Sequence, residues 1–269
     1  VCSSDLDMFL REGTAELAAA LPEGTILVDW QYDGAPPYDS TRNLLKCGRE
    51  VMGASGVMVG WLEHCCHVQS IPEKRFRNVD GWNNWAEKHQ IGMIHTTWTR
   101  ASSFWNIYGP WIGALPVFVA AGNPRRWKAH PWHGFMNGLT GVMERDQPGE
   151  LRKSASEVLQ LPVRNALETE CRRWWNLALR YQALQKDFQI NRNTRLILER
   201  VAGFVGKDDV MFAKYAVAPF REMLSEMEQW EREARLFWRD NELSDEEEFM
   251  ATRCQIMKDE IVSYTNNQN

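Results

Sequence analysis

The sequence predicts an α/β protein with a parallel sheet in its first half and a helical second half. Short apolar runs alternate with amphipathic stretches over residues 7–125, in the order helix, strand, helix, strand, helix, strand, helix. That alternation is the pattern of parallel strands joined by crossover helices. Each predicted strand also runs from apolar residues into polar and aromatic ones at its C-terminal end. From about Gly149 onward the apolar residues recur at spacings of three and four, the mark of long amphipathic helices.

The first six residues, Val-Cys-Ser-Ser-Asp-Leu, are spelled by one reading frame of a common short-read sequencing adapter. They are set aside as a scar, and the native chain is expected to enter in mid-protein near Asp7. Residues 7–20 are expected to form a helix with Phe9, Leu10, Leu17 and Leu21 on one side, stopped by "LPEG". "TILVDWQYD" is a buried strand, "GAPPYDS" a loop and "TRNLLKCGR" a short helix. "EVMGASGVMVG" is a second strand, whose small residues suit close approach of another backbone or a ligand. The loop "WLEHCCHVQSIPEKRF" leads into the helix "NVDGWNNWAEKHQ", with Asn78 or Asp80 as N-cap. "IGMIHTTWTR" is the third strand, and "GPWIGALPVFVAAG" the closing helix, with Pro110 near its start and Gly122 at its end. "GNPRRW" is a basic turn, and residues 129–149 are a connecting loop.

In the second half one seam runs through Leu167, Cys171, Trp174, Ala178 and Tyr181. Another runs through Val217, Phe220, Leu224, Met227, Trp230, Ala234 and Phe237. Pro219 belongs in the first turn of the second of these helices, where its missing N–H costs least. A last helix starts at Ser244, its acidic run Glu246–Glu248 complementing the helix dipole. The organisation is thus 1–6 scar, 7–128 sheet unit, 129–149 connecting loop and 150–269 helical bundle or hairpin.

The composition, 44% apolar and 25% charged, is that of a globular domain. A net charge of −5 argues against nucleic acid or an anionic membrane as partner. No apolar run reaches the roughly 18 residues of a membrane span. Cys47, Cys65, Cys66, Cys171 and Cys254 lack framework spacing and are expected to be mostly free thiols. His64 and His67 around Cys65-Cys66 have no second half to complete a zinc site. His95 lies mid-strand and is expected to be a hydrogen-bonded core residue. Gly-rich segments do not form a nucleotide loop. The sequence calls for no cofactor and no metal.

Tryptophan is the compositional outlier: 13 residues, nine of them between Trp30 and Trp132. Indoles fill cores, and they also stack on the apolar C–H faces of sugar rings. Position favours the second role for Trp30 and Trp98, because each closes a strand at the end where α/β folds present their chemistry.

The stretches "VMGASGV" and "FRNVDGWNNWAEKHQIGMIHTTWTRASSFWNIYGPWIGALP" resemble the last two barrel strands of glycoside hydrolase family 20, closest to its hexosaminidase D-like branch. Shared with it are a G-A-S strand, an N-x-x-x-W helix, a G-x-I-x-T-x-W-x-R strand and a Pro-containing segment. "ILVDWQYD" is similar to that branch's sixth strand, and the resemblance covers roughly residues 7–125. It implies the C-terminal portion, about three strands, of a TIM-type barrel followed by the helical region. It also implies removal of terminal N-acetylhexosamine from a carbohydrate substrate by substrate-assisted retention, in which the 2-acetamido oxygen is the nucleophile.

The family's catalytic Asp-Glu pair closes its fourth strand. No such pair closes a strand here, since Asp245-Glu246 and Asp259-Glu260 fall in the last helix. The resemblance therefore implies that the pair lies in missing N-terminal sequence and that this chain holds no catalytic residue. It implies that Trp98 walls the terminal-sugar subsite, that Trp30 and Tyr32 flank it, and that Ser55 and Arg100 contribute to substrate binding. Arg100 stands where most family members carry a carboxylate that binds sugar hydroxyls. Two other readings stay open: a non-catalytic carbohydrate-binding or interaction protein, and a different barrel hydrolase using Asp29 or Asp33.

Overall fold

The computed structural model describes residues 20–32, 34–59, 72–98, 113, 115–144, 147–200, 210–244 and 246–266. The chain is α/β and mostly helical, with a small three-stranded parallel sheet. It divides into two compact units, Val1–Thr140 and Gly141–Asn269.

In the first unit the strands are β1 (Leu27–Trp30), β2 (Val51–Val59) and β3 (Gly92–Trp98). They lie in the order β1-β2-β3, all parallel. Leu27 pairs with Val51 and Trp30 with Ala54; Met52 pairs with Gly92 and Ser55 with His95. The β2–β3 register shifts between Gly56 and Met58. Helix α1 (Asp39–Leu45) joins β1 to β2, and α2 (Pro72–His89) joins β2 to β3. Side chains alternate between the two faces of a strand. On one face Leu27, Asp29, Val51, Gly53, Ser55 and Val57 are buried and Met93 and His95 half-buried; on the other Val28, Trp30, Met52, Ile94 and Thr96 are half-buried and Ala54 and Gly56 buried. The first face is the one the helices cover: Leu44 of α1 packs on Leu27 and Val51, and the Trp82 ring of α2 lies against Gly53.

Helix α2 begins at Pro72, inside the stretch expected as a loop, because proline suits a helix's first turn. Its buried face is Phe76, Asn78, Val79, Trp82, Asn83 and Ala86. Asn78 is thus no N-cap: it sits mid-helix with no exposure at all. Helix α3 (Leu115–Gly122) ends at Gly122 as expected, and Asn83 Nδ2 donates to its Ala120 carbonyl at 3.0 Å. "GNPRRW" is a short helix, α4 (Pro124–Lys128), rather than a turn; Asn123 caps it by accepting from the Arg126 amide at 3.0 Å. Residues 129–149, expected as a connecting loop, contain helix α5 (His133–Glu144). Trp132 lies in the turn before it, 1% exposed.

The second unit contains α6 (Pro148–Val158), α7 (Ala166–Arg200) and α8 (Ala218–Asp240). A final helical stretch begins at Glu246 and ends in α9 (Ile256–Asn266). The predicted seams are its core: Cys171, Trp174 and Ala178 on α7, and Phe220, Met227, Trp230, Ala234 and Phe237 on α8, are buried. Leu167 is 50% exposed, because α7 has just begun at Ala166, and Tyr181, Val217 and Leu224 are half-buried. Trp230 Nε1 donates to the Leu177 carbonyl at 2.7 Å and Trp238 Nε1 to the Ser244 carbonyl at 3.2 Å, so both buried indoles of α8 are satisfied. The Arg152 guanidinium reaches Asp187 and Glu226, both at 2.6 Å, tying α6 to α7 and α8. Pro219 does occupy the first turn of α8, and a π turn at Ala213–Val217 precedes it. Proline cannot donate to the carbonyl four residues back and clashes with it; widening the preceding turn relieves that conflict. Arg235 holds the start of the Glu246–Glu248 run: Glu246 accepts from it at 3.1 Å and Glu247, itself 84% exposed, at 2.9 Å.

Candidate functional site

The C-terminal end of β1 brings two predicted site residues together. Asp29 and Gln31 turn toward the helices, as shown by the bonds Asp29 accepts from Ser40 Oγ (3.1 Å) and Thr41 Oγ1 (2.5 Å) of α1, and from Gln31 Nε2 (3.3 Å). Alternation then sends Trp30 and Tyr32 to the opposite face. Their ring centroids are 6.4 Å apart with planes inclined at 54°, and both rings are half-buried. Two tilted aromatic rings at a strand end form an apolar corner with polar edges, the geometry that accepts a flat, partly apolar ligand.

Asp29 serves this corner as a brace. It is 2% exposed and accepts from three side chains, so a reading that makes it a reacting carboxylate finds its oxygens already engaged. Asp33 lies outside the described residues. Among the described residues no second carboxylate closes a strand.

Ser55, expected to touch ligand, is fully buried, and its Oγ lies 2.7 Å from His95 Nδ1 on the neighbouring strand. Its carbonyl accepts from Thr96 Oγ1 at 2.8 Å. Burial holds His95 below the ordinary imidazole range, so the ring is neutral near pH 7 and shares one hydrogen bond with Ser55. The expectation of a hydrogen-bonded His95 is met. Trp98 is the last residue of β3, in register with Val59, and its side chain lies outside the described part. Arg100 also lies outside it, as do His64, Cys65, Cys66 and His67.

Sequence reasoning missed Asn78 and Trp82. Both are fully buried on α2, and both donate to the Gln31 carbonyl, Asn78 Nδ2 at 2.8 Å and Trp82 Nε1 at 2.9 Å. The signal was present as N-x-x-x-W, an i,i+4 pair on one helix face.

In the second unit a cavity of about 220 Å³ is lined by Leu159, Leu177, Leu236 and Phe237 with Arg173, Asn176 and Glu233. Its polar side chains are committed elsewhere: Arg173 to Glu170 and Asp240, Asn176 to the Ala155 carbonyl, Glu233 to Arg180. Among the described residues no group of three or more His, Cys, Asp or Glu side chains could hold a metal, and no helix is long and apolar enough to cross a membrane. Cys47, Cys171 and Cys254 are free thiols.

No family model matches the chain, and no curated protein and no solved structure is significantly similar to it.

Proposed function

We propose that the first unit is one wall of the sugar pocket of a glycoside hydrolase of family 20, in its hexosaminidase D-like branch. On this reading β1–β3 and their helices belong to a TIM-type barrel, and the enzyme removes terminal N-acetylhexosamine by substrate-assisted retaining hydrolysis. The catalytic Asp-Glu pair comes from sequence outside this chain. The observation that carries the reading is the Trp30–Tyr32 pair at the C-terminal end of a parallel sheet, on the face opposite the one that α1 and α2 cover. A β/α barrel turns that face inward and presents its chemistry at that end. Stacking a sugar ring on an indole contributes on the order of 1–3 kcal/mol, by analogy with base–aromatic stacking. Trp98 closes the adjacent wall, and Arg100 reads hydroxyls.

Saturation-transfer NMR on the chain tests this. Saturating aromatic protons should transfer to the ring C–H and acetamido methyl protons of N-acetylglucosamine or N-acetylgalactosamine. The chain should not hydrolyse an aryl N-acetylglucosaminide, since a general acid contributes about 10²–10⁴-fold and none closes a described strand. Absence of transfer to both sugars, or equal transfer to glucose, contradicts the reading.

The commitment of Asp29 to Ser40 and Thr41 counts against a barrel hydrolase that uses it as a reacting carboxylate; the alternative kept beside the first reading is a non-catalytic carbohydrate-binding protein on a barrel-derived scaffold. The coding sequence upstream of residue 7 separates the two. An Asp-Glu pair closing a strand there supports the hydrolase; a continuous upstream frame without it supports the binding protein.

A further inference from the structure

Gln31 lies between the two aromatic residues, and its peptide is held from every side. Its amide donates to the Ala54 carbonyl of β2 at 3.2 Å. Its side-chain Nε2 donates to Ser40 Oγ at 2.9 Å. Its carbonyl accepts from Asn78 Nδ2 at 2.8 Å and from Trp82 Nε1 at 2.9 Å. An sp² oxygen has two lone-pair directions, so two donors one helical turn apart fix the orientation of the peptide plane as well as its place.

Asn78 reaches further. Its Nδ2 also lies 3.2 Å from the Gly34 carbonyl and 3.2 Å from Tyr38 Oη, and its Oδ1 accepts from the Gly56 amide at 3.0 Å. Gly56 sits where the β2–β3 register shifts, so Asn78 satisfies an amide at the irregularity while gripping the end of β1. Two glycines let α2 come this close. A Cβ on Gly53 would stand 2.4 Å from the Trp82 ring, and one on Gly81 would stand 2.4 Å from Ala35 Cβ.

We infer that Asn78 and Trp82 are positioning residues that set the angle between Trp30 and Tyr32. The Gln31 carbonyl belongs to the peptide that carries Tyr32, so releasing it lets that peptide plane rotate and turns the Tyr32 ring away from Trp30. The consequence for sugar affinity rests on the sugar-wall reading; the consequence for the rings does not.

Trp82→Phe tests this, because it keeps a six-membered ring over Gly53 and removes the N–H. Trp127→Phe is the control: Trp127 is 1% exposed, and its Nε1 has no hydrogen-bond partner among the described residues, so the same truncation removes a buried indole without a hydrogen bond to them. The readouts are the nuclear Overhauser contact between the Trp30 and Tyr32 rings and the Kd for N-acetylglucosamine. Trp82→Phe should lose the ring contact and bind roughly ten-fold more weakly, the cost of about one net hydrogen bond; Trp127→Phe should keep both. Asn78→Ser is read the same way should Trp82→Phe fail to fold. Retention of the ring contact and affinity in Trp82→Phe, or equal loss in Trp127→Phe, overturns the inference. A wild-type chain that binds no N-acetylhexosamine overturns the sugar-wall reading, and the ring contact then decides the positioning role by itself.

Discussion

Replacing Gly53 by alanine probes the packing that everything at the strand ends depends on. The new Cβ would stand 2.4 Å from Trp82 Cε3 and Cζ3 and 2.8 Å from Met93 Sδ. Ordinary carbon contacts are about 3.5–4.0 Å, so the ring must retreat by about 1 Å. The methionine can swing aside, but the indole cannot: it is fully buried, bonded through Nε1 to Gln31, and covered by the Tyr38 ring at 5.6 Å. Overpacking of this kind costs about 1–3 kcal/mol. Amide hydrogen exchange along β1 and β2 should therefore accelerate about 5- to 150-fold in Gly53→Ala, read strand by strand. In a Trp82→Phe background the smaller ring can shift, and the same substitution should cost less; the difference is the coupling between the two positions. Unchanged exchange in Gly53→Ala, or an equal cost in both backgrounds, refutes the packing argument.

Trp132→Ala empties a site only 1% exposed and should cost about 3–5 kcal/mol in a thermal melt, with sugar affinity in the folded fraction unchanged. Trp98→Ala should do the reverse, weakening N-acetylglucosamine binding on the order of ten-fold with little change in melting temperature; a large melt shift with affinity retained makes Trp98 a core residue. Burial holds the His95 imidazole below its ordinary 6.5, so in acid the unfolded chain takes up a proton that the folded one refuses. Stability of the first unit should then fall as pH drops below about 6.5, and His95→Gln should flatten that slope in urea titrations at stepped pH. Burial, aided by Glu231, pushes the Cys254 thiol from 9.0 up to about 12. Iodoacetamide near neutral pH should label half-buried Cys47 and spare buried Cys171 and Cys254 until denaturant is added. Because unfolded Cys254 loses its proton first, the second unit should lose stability from pH 9.0 toward about 12.

The three strands and the helices between them were legible because their signals are local. "TILVDW" and "EVMGASGV" are short apolar runs bounded by turns, and alternation with amphipathic stretches implies parallel pairing. Pro219 was legible for the same reason. Helix α5 was not: Gly134, Gly138 and Gly141 make "HGFMNGLTGVME" read as loop. Each glycine costs a helix about 1 kcal/mol, and burial of Met136 and Leu139 offsets it, which is tertiary information.

At the candidate site, Trp30 was singled out by its position at a strand end and Tyr32 by the family resemblance, and the structure brings the two rings together. Ser55 was read as a ligand contact because it stands toward the C-terminal end of a strand whose small residues suit close approach of a ligand; its partner His95 is 40 residues away in sequence. Asn78 was taken for a cap because asparagine near an expected helix start is the usual cap signal. Its role depends on carbonyls 44 and 47 residues upstream, which no local pattern specifies.

The most direct test of the sugar-wall account is a titration of the ¹⁵N-labelled chain with N-acetylglucosamine, following the tryptophan indole N–H signals. The account predicts that the Trp30 indole shifts saturably with the sugar while the buried indoles of Trp127, Trp132 and Trp230 stay in place, and that glucose, lacking the acetamido group, moves Trp30 far less. A Trp30 signal that ignores N-acetylhexosamine, or that answers glucose equally, contradicts it.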